Sequence, residues 1–185
     1  MKPIKIKGWW HNMEIYIENA KRNTYAREGW INLPIAEGEL SKKLNLYCGE
    51  TIITDYNLPF NITEYENPHI INEVLQNLLD INLTYIELKI LFKMSDGDFQ
   101  ETAKKILNGE YQLLEINKNN EFKIIDETDV AYCLYENDLI SFLGKLSDDL
   151  IDYIDWTQVW NTCNMSKNWN IFVDSKSLTT YAVNI

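Results

Sequence analysis

The chain has 185 residues, 45% of them apolar and 12% aromatic, and its 17 Lys and Arg against 28 Asp and Glu give a formal net charge of −11. That apolar content is ample for a folded core, while the charge argues against binding duplex nucleic acid or anionic membranes, whose phosphates demand Lys and Arg. Cys48, Cys133 and Cys163 show no CxxC spacing, which argues against zinc or redox chemistry; no secretory signal pattern and no run of 18 apolar residues is present, so a soluble, cytoplasmic protein is expected.

Residues 1–12 (MKPIKIKGWWHN) form a basic lead-in. Glu14–Glu18 alternates like a strand, and Trp30–Ile35 reads as a second strand stopped by Pro34, with a long polar loop between them. Glu37–Leu46 is expected to make a short helix and Thr51–Asp55 a third strand, followed by the apolar turn Leu58-Pro59-Phe60. Residues 1–66 thus form an N-terminal α/β module.

Asn67 followed by Pro68 is a helix start, with asparagine as cap and proline at the first helical position, where its missing amide hydrogen does no harm. Ile70, Ile71, Val74, Leu75, Leu78 and Leu79 then line one face through Asp80. Thr84 can cap another helix carrying Ile86, Leu88, Ile90, Leu91 and Phe92, and Ser95 or Asp96 a third that ends near Asn108 and Gly109. Residues 67–109 read as a helical module.

Tyr111–Ile116 and Glu121–Ile125, joined by the polar NKNN, carry a hairpin signature. Acidic helices follow, and Asn170–Val173 with Thr179–Val183 close the chain as a strand pair, giving a C-terminal acidic α/β module over residues 110–185. The fold class expected is α+β: an elongated chain of three small modules, α/β, all-helical, and α/β with antiparallel strands. Pieces of about 60 residues bury little core alone, so an extended assembly with modest interfaces follows.

Charge is graded along this order, at +1 for residues 1–60, −5 for 61–120 and −7 for 121–185. Asp126–Trp156 alone carries nine carboxylates and one base, Lys145. From Asp148 onward, Asp148, Asp152 and Asp155 recur every three or four residues while Leu150, Ile151 and Ile154 take the opposite face, which predicts one helix with three carboxylates on a stripe. A solvated helix face would ordinarily intersperse lysines among them, so the negative field itself looks selected. In gross count the 28 acids match the phosphates of about 14 base pairs of duplex.

Candidate enzyme sites are weak. His11 and His69, the two histidines, lie in no metal-ligand spacing. Asp96-Gly97-Asp98 and Asp126-Glu127-Thr128-Asp129 complete no calcium loop and read better as helix N-termini, where the dipole favours carboxylates. No nucleophile elbow, P-loop or glycine-rich dinucleotide turn occurs. No enzyme activity, metal or cofactor is therefore expected.

Three blocks, Thr54–Tyr65 (TDYNLPFNITEY), Asp129–Leu143 (DVAYCLYENDLISFL) and Leu150–Trp156 (LIDYIDW), resemble in sequence and in order the ArdA family of antirestriction proteins, carried on conjugative elements and phages. The resemblance runs from about Met13 to the C-terminus. It implies a three-domain homodimer that imitates bent duplex DNA, occupies the DNA-binding groove of type I restriction-modification enzymes and does not itself bind nucleic acid. The carboxylates expected to stand in for phosphates are Asp129, Glu136, Asp138, Asp148, Asp149, Asp152 and Asp155, with Glu64, Glu66, Glu73, Asp80 and Glu87 extending the surface. Tyr132, Tyr135, Tyr153, Trp156 and Trp160 read either as core or as a symmetric dimer interface, the family's dimer contact being in its C-terminal module. The alternative function is inhibition or regulation of another nucleic-acid-binding protein, such as a CRISPR effector or a transcription factor.

Overall fold

A computed structural model describes residues 13–20, 28–47, 49–116, 125–167, 169–175 and 177–185. The fold is mixed α+β, with two three-stranded antiparallel sheets and seven helices among the described residues. The chain divides into two compact units, Met1–Gly109 and Glu110–Ile185.

In the first unit, β1 (Glu14–Asn19) is the central strand between β2 (Gly29–Asn32) and β3 (Thr51–Asn57). Its alternation is strict: Ile15, Ile17 and Asn19 are buried while Glu14, Tyr16 and Glu18 are partly exposed. A register shift against β3 between Tyr16 and Ile17 marks a local irregularity in the ladder. Helix α1 (Glu37–Asn45) contributes one buried anchor, Leu40.

The three middle helices start on designed caps. Asn67 accepts the His69 amide at 3.0 Å, with Pro68 at the first position of α2 (Pro68–Leu78). Thr84 and Glu87 close a capping box on α3 (Tyr85–Met94). The third start differs from expectation: Asp98, not Ser95 or Asp96, caps α4 (Phe99–Leu107), accepting the Glu101 amide at 2.8 Å. Ser95 instead ends α3, its backbone amide bonded to Leu91.

The described residues before Asn67 and those of 67–109 share one core. Phe60, in the turn after β3, stacks on Phe99 with centroids 4.8 Å apart and packs against Phe92 at the same distance. Tyr85 Oη donates to the Asn57 side chain and to the Leu58 carbonyl, each at 3.2 Å. The sheet and the helices therefore bury one another's apolar faces within a single unit, as short segments must to remove enough surface from water.

In the second unit, β6 (Thr179–Asn184) lies between β4 (Gln112–Glu115) and β5 (Asn170–Asp174). The expected closing pair forms as β5 against β6. The partner expected for β4, residues 121–125, falls almost entirely outside the described residues; β4 pairs with β6. Helices α5 (Glu127–Glu136) and α7 (Trp156–Lys167) pack together over a core of Val130, Leu134, Val159, Trp160, Cys163 and Trp169.

The continuous acidic helix expected from Asp148 does not form. A single turn, α6 (Asp148–Ile151), ends at Asp152, and a new helix begins at Trp156. The cause is Asp155, whose carboxylate accepts the Gln158 amide at 3.1 Å and whose carbonyl accepts the Val159 amide at 3.1 Å. Aspartate competes for backbone donors better at a cap than in a helix interior, and here the cap wins. Leu150, expected on the face opposite the carboxylates, is 52% exposed.

Candidate acidic interaction surface

Each carboxylate of the expected set in the second unit has a definite structural address. Asp126 caps α5, and the Asp129 carboxylate in turn accepts the Asp126 amide at 3.3 Å, completing a capping box. Asp129 is thus half-exposed and partly occupied by local structure. Glu136 ends the same helix and is exposed. Asp138 follows in the turn with φ 57°, a left-handed conformation that aspartate tolerates better than most residues. Asp148 and Asp149 occupy the first turn of α6, Asp152 its C-terminal cap, and Asp155 the start of α7.

Glu136, Asp138, Asp148, Asp149, Asp152 and Asp155 are exposed, and none is in an ion pair among the described residues. The Lys43–Glu39 ion pair and the contact of His69 with Glu37 both lie in the first unit.

Two carboxylates of the predicted set are held by tyrosines. Tyr132, one turn before Glu136 on α5, donates its phenol to that carboxylate, and the bond and the charge together hold the phenol above its ordinary ionisation range. Tyr65 does the same with Glu64 and responds in the same direction. Both pairings are written in the sequence as i,i+4 and i,i+1 neighbours, yet sequence reasoning passed over them because it sought charge rather than donors.

The aromatic set divides. Tyr132 and Trp156 meet edge to face with centroids 5.2 Å apart, and Tyr135 tilts against Trp156 at 5.5 Å. Tyr135 also accepts the Leu146 amide on its hydroxyl at 2.9 Å, tying the loop after α5 to the helix. Trp160 is buried in the core at 3% exposure, so it is not available to a partner, whereas Tyr153 stands 85% exposed.

No protein-family model matches the chain. Over 163 residues it is 25% identical to a protein of Acanthamoeba polyphaga mimivirus named as an ankyrin repeat protein. That alignment covers 82% of this chain and 26% of the viral protein, so the chain spans about a quarter of that relative's length.

The remaining carboxylates of the expected set lie in the first unit. Glu64, Glu73 and Asp80 are exposed; Glu66 is partly buried, and Glu87 is partly buried and committed to the Thr84 amide at 2.6 Å. Among the described residues no group of three or more His, Cys, Asp or Glu side chains is placed to hold a metal ion, and no helix is long and apolar enough to cross a membrane. What the arrangement offers chemically is a dense set of solvated hydrogen-bond acceptors for Lys and Arg.

Proposed function

We propose that the protein is a non-catalytic DNA mimic of the ArdA type, which binds the DNA-binding groove of type I restriction-modification enzymes and competes with duplex DNA. One observation carries this reading: six exposed carboxylates of one compact unit stand without basic partners among the described residues. The three sequence blocks at 54–65, 129–143 and 150–156 support the same target. In this reading the carboxylate oxygens accept hydrogen bonds from lysines and arginines that otherwise hold phosphates. Each exposed pair contributes only about 0.2–1 kcal/mol, so affinity accumulates over many pairs and from long-range steering. A cytoplasmic homodimer would double the acidic surface.

The test is cleavage of an unmodified plasmid by a purified type I restriction enzyme while the protein is titrated in. Inhibition near stoichiometry, relieved by excess duplex or raised salt, supports mimicry. Unchanged cleavage across several type I families moves the target to another basic nucleic-acid-binding protein. That second reading is favoured by the near-neutral first 60 residues, at +1, which confine the acidic field to part of the chain.

A further inference from the structure

The first unit carries a concave feature whose apolar floor DNA mimicry does not use, although Glu73 on its rim belongs to the extended set of carboxylates expected to stand in for phosphates. Between α2 and α4 lies a groove of about 350 Å³. Its apolar lining comes from Ile70 and Val74 on α2 and from Ala103 and Leu107 on α4. Each pair is four residues apart on its helix, so each helix turns one stripe toward the groove. Leu107 is 44% exposed at its mouth, an unpaid apolar surface beside water.

The rim is charged on one side of neutrality. Glu73, Asp98 and Glu101 face it, against the single base Lys104. Asp98 is engaged in capping α4, which leaves the exposed Glu73 and Glu101 as the outward carboxylates on opposite walls. The lining runs from Ile70 to Asn77 on one helix and from Gln100 to Leu107 on the other. Seven residues of α-helix rise about 10 Å, the reach of anchors at i, i+3 or i+4, and i+7 on a docked helix. An anionic ligand is disfavoured by the rim, and duplex DNA has no side chain to place on the floor.

We propose that this groove docks a cationic amphipathic helix of a protein partner, its apolar anchors on Ile70, Val74 and Leu107 and its lysines or arginines on Glu73 and Glu101. The site is separate from the carboxylates of the second unit and does not depend on the mimic reading.

The experiment titrates a labelled synthetic 18-residue helix of leucine, alanine and lysine, amphipathic at helical spacing, into the full chain. Anisotropy reads affinity and amide chemical shifts read location; a scrambled peptide of equal composition controls for general attraction to a chain of −11 charge. The expected result is saturable binding with shifts on α2 and α4, and at least tenfold weaker binding of the scrambled peptide. Asn77→Trp, an exposed position whose new ring would overhang the groove, is expected to weaken binding by a similar factor, with Gln100→Trp as a second block from the other wall. E73Q/E101Q is expected to weaken it about three- to tenfold, less at high salt. No binding, shifts elsewhere, or equal affinity for scrambled peptide and both tryptophan variants overturns the proposal. Both tryptophan variants are in the first unit and leave every acid of the mimic set unchanged, so plasmid protection in the restriction assay is expected to persist in both, and failure of one assay is distinguishable from failure of the other.

Discussion

Asn72, fully buried on α2, grips Ile35 at both ends of its backbone, accepting its amide at 2.9 Å and donating to its carbonyl at 3.0 Å. The residue that follows the Leu33–Pro34 pair is thereby stitched to the helical half of the unit. Gln76 donates to the same carbonyl at 2.6 Å, so the carbonyl has a second partner and the amide does not rely on it. Asn72→Leu should leave the Ile35 amide unsatisfied in a part-buried position, at a cost of about 1–3 kcal/mol. Chemical denaturation of wild type and variant measures this; Gln76→Leu should cost less, and an equal loss for both would contradict the ordering.

Asp155 should separate structure from charge. Asp155→Ala removes the cap of α7 and is expected to destabilise by about 0.5–2 kcal/mol. Asp155→Asn keeps a capping acceptor and removes the charge, so its midpoint of thermal unfolding should stay near wild type while any part in binding is lost. If Asn destabilises as much as Ala, the carboxylate's charge at the helix N-terminus, rather than its hydrogen bond to Gln158, holds the turn.

Sequence periodicity made α2 legible because Asn67-Pro68 and the apolar spacing of Ile71, Leu75 and Leu78 agree on one answer. It failed at Asp155, where the same aspartate satisfies a helical stripe and a helix start, and only the backbone donors of Gln158 and Val159 decide between them. The pair Asp98 and Glu101 carried a readable cap signature that the nearer Ser95 and Asp96 obscured. Trp156 and Trp160 are one turn apart on the same face of α7 and both meet the α5 side of the core, yet Trp160 is buried while Trp156, the first residue of the helix, packs half-exposed against two tyrosines of α5, a distinction of position along the helix that periodicity does not carry. The groove between α2 and α4 had no sequence signal, since its two walls are some thirty residues apart and meet only through tertiary packing.

Tyr132 gives the second unit an alkaline signature. Its phenol is held above the ordinary value of 10.0, first by the hydrogen bond to Glu136 and then by that carboxylate's charge. The folded state therefore keeps this proton more tightly than the unfolded state. The corresponding stability is whole below pH 10 and is lost as pH rises above that through the folded ionisation. Tyr16, Tyr65 and Tyr85 are raised as well, so phenolate absorbance during alkaline titration should show a late-ionising group of tyrosines that loses one member in Tyr132→Phe and has one member move down toward the ordinary range in Glu136→Gln. A titration curve unchanged by Glu136→Gln would remove this carboxylate as the cause.

The acidic surface predicts a dose response to neutralisation. Asp138, Asp148, Asp149 and Asp152 are exposed, and the latter three sit in or at the end of the single-turn α6. Replacing any one by asparagine should change inhibition of a type I enzyme by less than about fivefold, because one exposed ion pair contributes at most about 1 kcal/mol. Replacing all four should weaken it by roughly one to three powers of ten, with the loss greatest at low salt, where screening is least. Thermal stability should hold or rise, since like charges in one turn repel each other. An inhibition curve that collapses on one substitution and is indifferent to the other three would instead indicate a single anchoring contact, with specific geometry and not summed charge as the basis of recognition.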